Sequence, residues 1–238
     1  MSDELPPEDH PSRTAPDRSR ARSDGGSSGE KRPRILDAAI EVFAERGFYR
    51  ARIADIAERA KVAEGTIYNY FHNKDEVLIT IFEEKMMELI SGLRAELVGV
   101  DDPLQQVRVF SRYHFRQVED HRALAEVLQV ELRLSHKFLK EYRPRRLWEY
   151  LNIFADIVRR GQERGVVVAE ADPQLLSWAF FGAMDELAIQ WVLSKKPRFS
   201  LDAAASAVAE VFVHGIASGP SSTFPGHEPD NKLSQEES

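Results

Sequence analysis

The chain has no cysteine, which excludes disulfides, thiolate metal sites and cysteine nucleophiles and agrees with a reducing compartment. No apolar run is long enough to span a bilayer, and the first residues lack a basic start followed by an apolar stretch. The expectation is a soluble, cytoplasmic protein with no membrane partner. Also missing are a phosphate-cradling glycine loop, the paired-histidine helix of zinc proteases and a nucleophile elbow. His114, His121, His136 and His214 show no metal-ligand spacing. Nothing calls for a cofactor or a metal, and catalysis is not expected.

What is present is helical. Residues 1–30 and 218–238 are rich in Pro, Ser, Gly and charge, with too few apolar residues to offset their ordering entropy, and read as disordered tails. Between them the apolar residues recur at helical spacing, which predicts an all-α protein. It divides into a small three-helix unit over 31–76 and a larger helical domain over 77–217.

In the small unit, Ile35, Ala38, Ala39, Val42 and Phe43 make one apolar face of a helix running from Pro33 to Arg46, stopped by Gly47. Ile53, Ile56, Ala57 and Ala60 make a second. After a turn at Lys61 and Val62 a third helix, Glu64 to Phe71, packs inward through Ile67 and Phe71. Its other face presents Thr66, Tyr68, Asn69 and Tyr70. Two short helices joined by a tight turn, the second carrying an exposed polar stripe, form a helix-turn-helix whose recognition helix enters a DNA major groove. Ile35, Val42, Phe43, Ile53, Ile56, Val62, Ile67 and Phe71 are the expected core of this unit.

Charge agrees with local DNA binding. The chain is net −7, yet residues 31–74 hold nine basic and six acidic residues, so the positive field is confined to the helix-turn-helix. Lys31, Arg32 and Arg34 extend it to the start of the first helix, within reach of a DNA backbone.

The segment AAIEVFAERGFYRARIADIAERAKVAEGTIYNYFHNKDEVL resembles the N-terminal domain of TetR-family transcriptional regulators, with GTIYNYFHNKDEVL as its specific part. The resemblance implies that Glu64, Gly65, Thr66 and Tyr68 face base edges or the sugar-phosphate wall, with Asn69 and Tyr70 beside them and Lys74 on a phosphate at the start of the next helix. Two positions depart from the family pattern. Ala51 and Arg52 replace the usual hydroxyl cap of the second helix, although Arg52 can still meet a phosphate; the cap, worth roughly 1 kcal/mol, comes from another group or is absent. Glu64 places a carboxylate near DNA, where it either accepts from a cytosine amino group or is repelled.

In the larger domain the spacing predicts a long helix from Lys74 to about Val98, then helices over 103–120, 122–134, 137–164, 173–194 and 201–217, with a short extended piece at 165–169. The last two helices are apolar on more than one side and need covering by a second copy of the chain. Trp178, Phe181, Met184, Trp191, Val208 and Phe212 are the expected interface. TetR-like proteins dimerise through such a pair as a four-helix bundle, which implies an inverted-repeat operator. Apolar residues interrupted by arginines point to a cavity for an amphiphilic anion, with Phe110, His114, Phe115, Leu128, Arg133, Arg143, Arg146, Trp148 and Leu151 as candidate contacts.

A finer resemblance lies in NYFHNKDEVLITIFEEKM, VLQVELRLS and FFGAMDELAIQWVL, which are similar to TetR-type repressors of fatty-acid degradation. It implies a long-chain acyl-CoA effector. A repressor that senses another hydrophobic compound, and a ligand-binding adaptor without DNA binding, are the alternatives.

Overall fold

The structure, a computed structural model, describes residues 28–132 and 144–218. The helices are α1 (Ser28–Arg46), α2 (Ile53–Ala60), α3 (Glu64–Tyr68), α4 (Lys74–Leu97), α5 (Pro103–Asp120), α6 (Arg122–Glu126, continued by a π-helical turn over Val127–Glu131), α7 (Arg145–Glu163), α8 (Pro173–Leu193) and α9 (Leu201–Ile216). The segment read as extended makes one isolated antiparallel bridge, Val167 to Ala217.

Local chemistry explains most boundaries. Asp102 and Asp172 cap α5 and α8, each accepting from two main-chain N–H groups ahead of a proline in the first turn. Gly47, at φ +76°, closes α1. Gly92 lets α4 approach α5, because a Cβ there would lie 2.0 Å from the Tyr113 hydroxyl.

Three boundaries differ from expectation. Helix α1 begins at Ser28, before Pro33, so that proline lies inside the helix. Helix α7 begins at Arg145, because Pro144 (ψ 76°) stands outside it as the N-cap; residues 137–143 of the expected 137–164 helix, and 133–134 of the expected 122–134 helix, lie outside the described residues. Helix α3 ends at Tyr68 as its last turn tightens, Tyr70 and Phe71 both donating to the Ile67 carbonyl. Within the three-helix core, Ile35, Val42, Phe43, Ile56, Ile67 and Phe71 are buried, with Ile53 and Val62 half-buried around them. In the larger domain α5 packs against α4, α6, α7, α8 and α9. Its Phe110 sits edge-on to Phe154 and Phe180, which stack on each other at 4.1 Å.

Candidate DNA-reading surface and effector cavity

The turn between α2 and α3 is built on Lys61 in the left-handed region (φ 53°), with Val62 N–H bonding to Ala57 O and Lys61 N–H to Glu58 O. This double closure ends α2 and aims α3 outward. Glu64, Gly65, Tyr68 and Asn69 are exposed and Thr66 is half-buried, while Ile67 points fully into the core. Tyr70 departs from expectation: it is half-buried and packs on the core beside Phe71. The geometry of a five-residue helix explains this, since position 70 has rotated round to the flank that faces the protein.

No hydroxyl caps α2. Arg52 N–H instead donates to Asp55 Oδ2 at 2.9 Å, and Asp55 is paired with Arg46 at 2.7 Å. This is the carboxylate half of a capping box, since an arginine side chain has no acceptor with which to complete the other half. The Arg52 side chain is left on the surface. Arg50, which carries no expectation from the sequence, stands beside Arg46 and Arg52 in a shallow cleft that Glu45 and Asp55 also line. Helices α1 and α2 are tied by Arg59, which bonds Glu41 and Glu45 at 2.6 Å each; that pairing holds the Glu45 carboxyl below its ordinary range.

The basic start of α1 is used inside the protein. Arg34 donates to the Ala60 carbonyl at 2.6 Å, and Arg32 pairs with Glu84 of α4. Lys74 likewise differs from its expected role on a phosphate. Its ammonium donates to the carbonyls of Phe48, Tyr49 and Ala51 at 2.5, 3.2 and 2.9 Å and lies over the Phe48 ring. Three donor hydrogens meet three acceptors, so none is left over. Lys74 is a clasp that fixes the loop ahead of α2 to the start of α4.

That loop has a second tether. Phe48 N–H donates to Glu131 Oε2 at 2.6 Å, a buried bond between residues 83 positions apart. Glu131 closes the π-helical turn of α6, so this carboxylate links that turn directly to the loop ahead of α2.

The same turn borders a cavity of about 760 Å³, partly open to solvent, between α1, α4, α5, α6, α7 and α8. Phe82, Met86, Leu89, Leu124, Leu128, Leu132, Leu147 and Phe181 line it, together with Tyr150, His114, Gln117 and Gln129. Of the expected contacts, His114 and Leu128 are there. Phe110, Phe115 and Leu151 are buried in the core beside it: Phe110 and Leu151 lie one turn along the helix from the lining residues His114 and Leu147, and Phe115, next to His114, points to another side of α5. Arg146 is paired with Glu149 and Glu83 outside the cavity. Trp148 lies on the surface against Trp178. Arg133 and Arg143 lie outside the described residues. Met86, Leu89, Gln117 and Tyr150 were missed; the periodicity of α4 and α5 marked those helices as amphipathic without saying which apolar residues look into a void.

His114 is buried and its Nδ1 is 2.9 Å from the Tyr150 hydroxyl. Burial depresses its pKa to about 4, so it is neutral near pH 7. An unfolded histidine titrates near 6.5, so the unfolded chain takes up this proton first as pH falls. Stability then declines between about pH 6.5 and 4 by a total on the order of 3 kcal/mol and levels off below. His114→Gln, which keeps a partner for Tyr150 and cannot titrate, is expected to reduce the drop in urea midpoint between neutral and acid pH. An unchanged drop would exclude His114 as its source.

The expected dimer surface is partly internal. Met184 (0% exposed) and Val208 are buried within the chain, Phe181 lines the cavity, and Phe212 packs on Phe154 and Phe180. Trp191 is half-buried beneath the Arg122 guanidinium. Trp178 (40% exposed) does lie outward, with Leu175, Leu193 and Val211 (69%, 58% and 70%). A helix apolar all round gives no phase from which to tell its inner face from its outer one, which explains the misassignments.

Residues 35–81 match the family described as bacterial regulatory proteins, tetR family, and residues 82–215 match the C-terminal region of YsiA-like protein. The chain is 35% identical over 190 residues to the fatty acid metabolism regulator protein of Bacillus subtilis, covering 79% of this chain and 97% of that one. Among solved structures it is similar to the fatty acid degradation regulator FadR of Bacillus halodurans. The TM-score is 0.74 at 35% identity, covering 80% of this chain and 98% of that one. It is also similar to FadR of Bacillus subtilis in complex with stearoyl-CoA. There the TM-score is 0.72 at 34% identity, covering 77% of this chain and 98% of that one.

Proposed function

From the premise that the chain belongs to the TetR family of bacterial regulatory proteins, we propose that it is a cytoplasmic, homodimeric repressor of fatty-acid-metabolism genes that long-chain acyl-CoA releases from an inverted-repeat operator. Two copies present their recognition helices to successive major grooves, roughly 34–36 Å apart. Tyr68, Glu64, Gly65, Thr66 and Asn69 read the groove, and Arg50 and Arg52 meet the backbone. The outward residues of α8 and α9, led by Trp178 and Val211, form the seam between subunits.

One observation carries the effector assignment: an apolar-lined cavity of about 760 Å³ within a chain 34% identical to a regulator whose structure holds stearoyl-CoA. The volume falls in the roughly 300–1,000 Å³ range of ligand sites. An acyl chain in it presses on Leu128 and Leu132, which flank Glu131, and Glu131 holds the loop that Lys74 fastens to α4. Ligand binding thereby favours one position of the DNA-reading unit over another, a shift of population between two dimer spacings.

The test is retardation of a promoter fragment. Wild-type protein is expected to bind it in a steeply salt-dependent manner and to release it on titration with oleoyl-CoA. Tyr68→Ala is expected to weaken binding by about 5- to 150-fold, corresponding to one lost base-edge contact. Failure to bind any genomic fragment in a selection experiment would sink the regulator reading, and oleoyl-CoA that neither releases DNA nor raises the melting temperature would sink the effector.

A further inference from the structure

Buried side-chain polar atoms in the larger domain are generally bonded. Ser111 donates to Ala205 O, Ser177 to Leu151 O and Gln106 to Val100 O. Among the described residues, three buried polar atoms have no partner, and two of them, His114 Nε2 and Gln129 Oε1, belong to side chains that line the cavity. Unpartnered buried atoms are rare and costly, and their coincidence in one cavity points to what that cavity holds.

The hydrogen-bonding roles can be assigned. Tyr150, fully buried, keeps its phenol proton because burial pushes its pKa well up. His114 Nδ1, 2.9 Å away, is the partner shown for that buried phenol, and in the tautomer that accepts the phenol proton the neutral imidazole carries its own hydrogen on Nε2. The unpartnered atoms at the cavity are therefore one donor, His114 Nε2–H, and one acceptor, Gln129 Oε1. An alkyl chain satisfies neither, a thioester carbonyl satisfies only the donor, and a hydroxyl satisfies both.

We propose that His114 and Gln129 form an oxygen-reading subsite, and that the effector bound most tightly is a long-chain acyl thioester bearing a hydroxyl on its buried chain. The proposal rests on the acyl-CoA reading above and narrows it. The phenyl and leucyl walls hold the chain, and the His114–Gln129 pair fixes where along it the oxygen must lie.

The experiment is calorimetric titration of the full-length dimer with stearoyl-CoA and with hydroxystearoyl-CoA isomers carrying the hydroxyl near the thioester, in mid-chain or near the far end. S-octadecyl-CoA, which lacks the carbonyl, is the last ligand. One isomer is expected to bind about tenfold tighter than stearoyl-CoA or better. That preference is expected to vanish in His114→Phe and in Gln129→Met, while stearoyl-CoA binds each variant at least as well as the wild type; either variant alone suffices if the other does not fold. No isomer exceeding stearoyl-CoA overturns the proposal. So does a loss of affinity confined to S-octadecyl-CoA and abolished by His114→Phe, which would assign the thioester carbonyl to the subsite. Absence of binding by every CoA ligand would instead reject the acyl-CoA reading itself, and this proposal with it.

Discussion

Lengthening the acyl chain of the effector from eight to sixteen carbons is expected to lower the concentration that releases operator DNA by at least roughly a hundredfold, since each buried methylene contributes about 0.8 kcal/mol. Even half of that gain per added methylene gives this result. The walls are suited to it, because Phe82, Met86, Leu89, Leu128 and Leu147 come from three different helices around one void. The gain should stop once the cavity is full, so the length at which the curve flattens reports the usable depth. Operator release by even-numbered acyl-CoAs, each kept below its micellar concentration, gives the measurement. A flat response from eight to sixteen carbons would mean that the chain does not lie in this cavity.

The second large effect concerns Glu131. In Glu131→Leu the Phe48 N–H loses its acceptor, and the loop ahead of α2 keeps only the Lys74 clasp. Couplings between sites in regulated proteins are typically about 5- to 150-fold. The variant is expected to respond to saturating oleoyl-CoA by less than about threefold in operator affinity, while its own affinity for the ligand changes little. Glu131→Gln, which keeps an acceptor oxygen, should retain most of the response. Operator titrations with and without ligand separate these outcomes, and full release in Glu131→Leu would show that the signal travels by another route, such as α4 alone. The design isolates coupling from binding, which a loss of DNA affinity by itself would not do.

Where a single local rule decides, the sequence was readable. Asp102–Pro103 and Asp172–Pro173 fixed two helix starts to the residue, because an acidic cap followed by a proline in the first turn admits little else. The helix-turn-helix was legible for a related reason: its two short helices leave few ways to hide Ile56 and Ile67. The cavity was not. Which side of α4 or α5 faces a void depends on five other helices, and no local period encodes that. Lys74 shows the limit most clearly. Its position at a helix start suggested an anion, whereas its partners are three carbonyls more than twenty residues upstream. The π-helical turn in α6 was equally silent, since nothing in VLQVE distinguishes it from ordinary helix.

That turn has a consequence for how the gene tolerates change. A π-helical turn holds one residue more than the α-helical turn it replaces. Removing a single residue within Val127–Glu131 would let the helix run on as regular α with Leu132 still in phase. A deletion elsewhere in α6 would swing the following side chains by about 100°. Length variation in this helix should therefore concentrate in one turn, the one that carries Glu131.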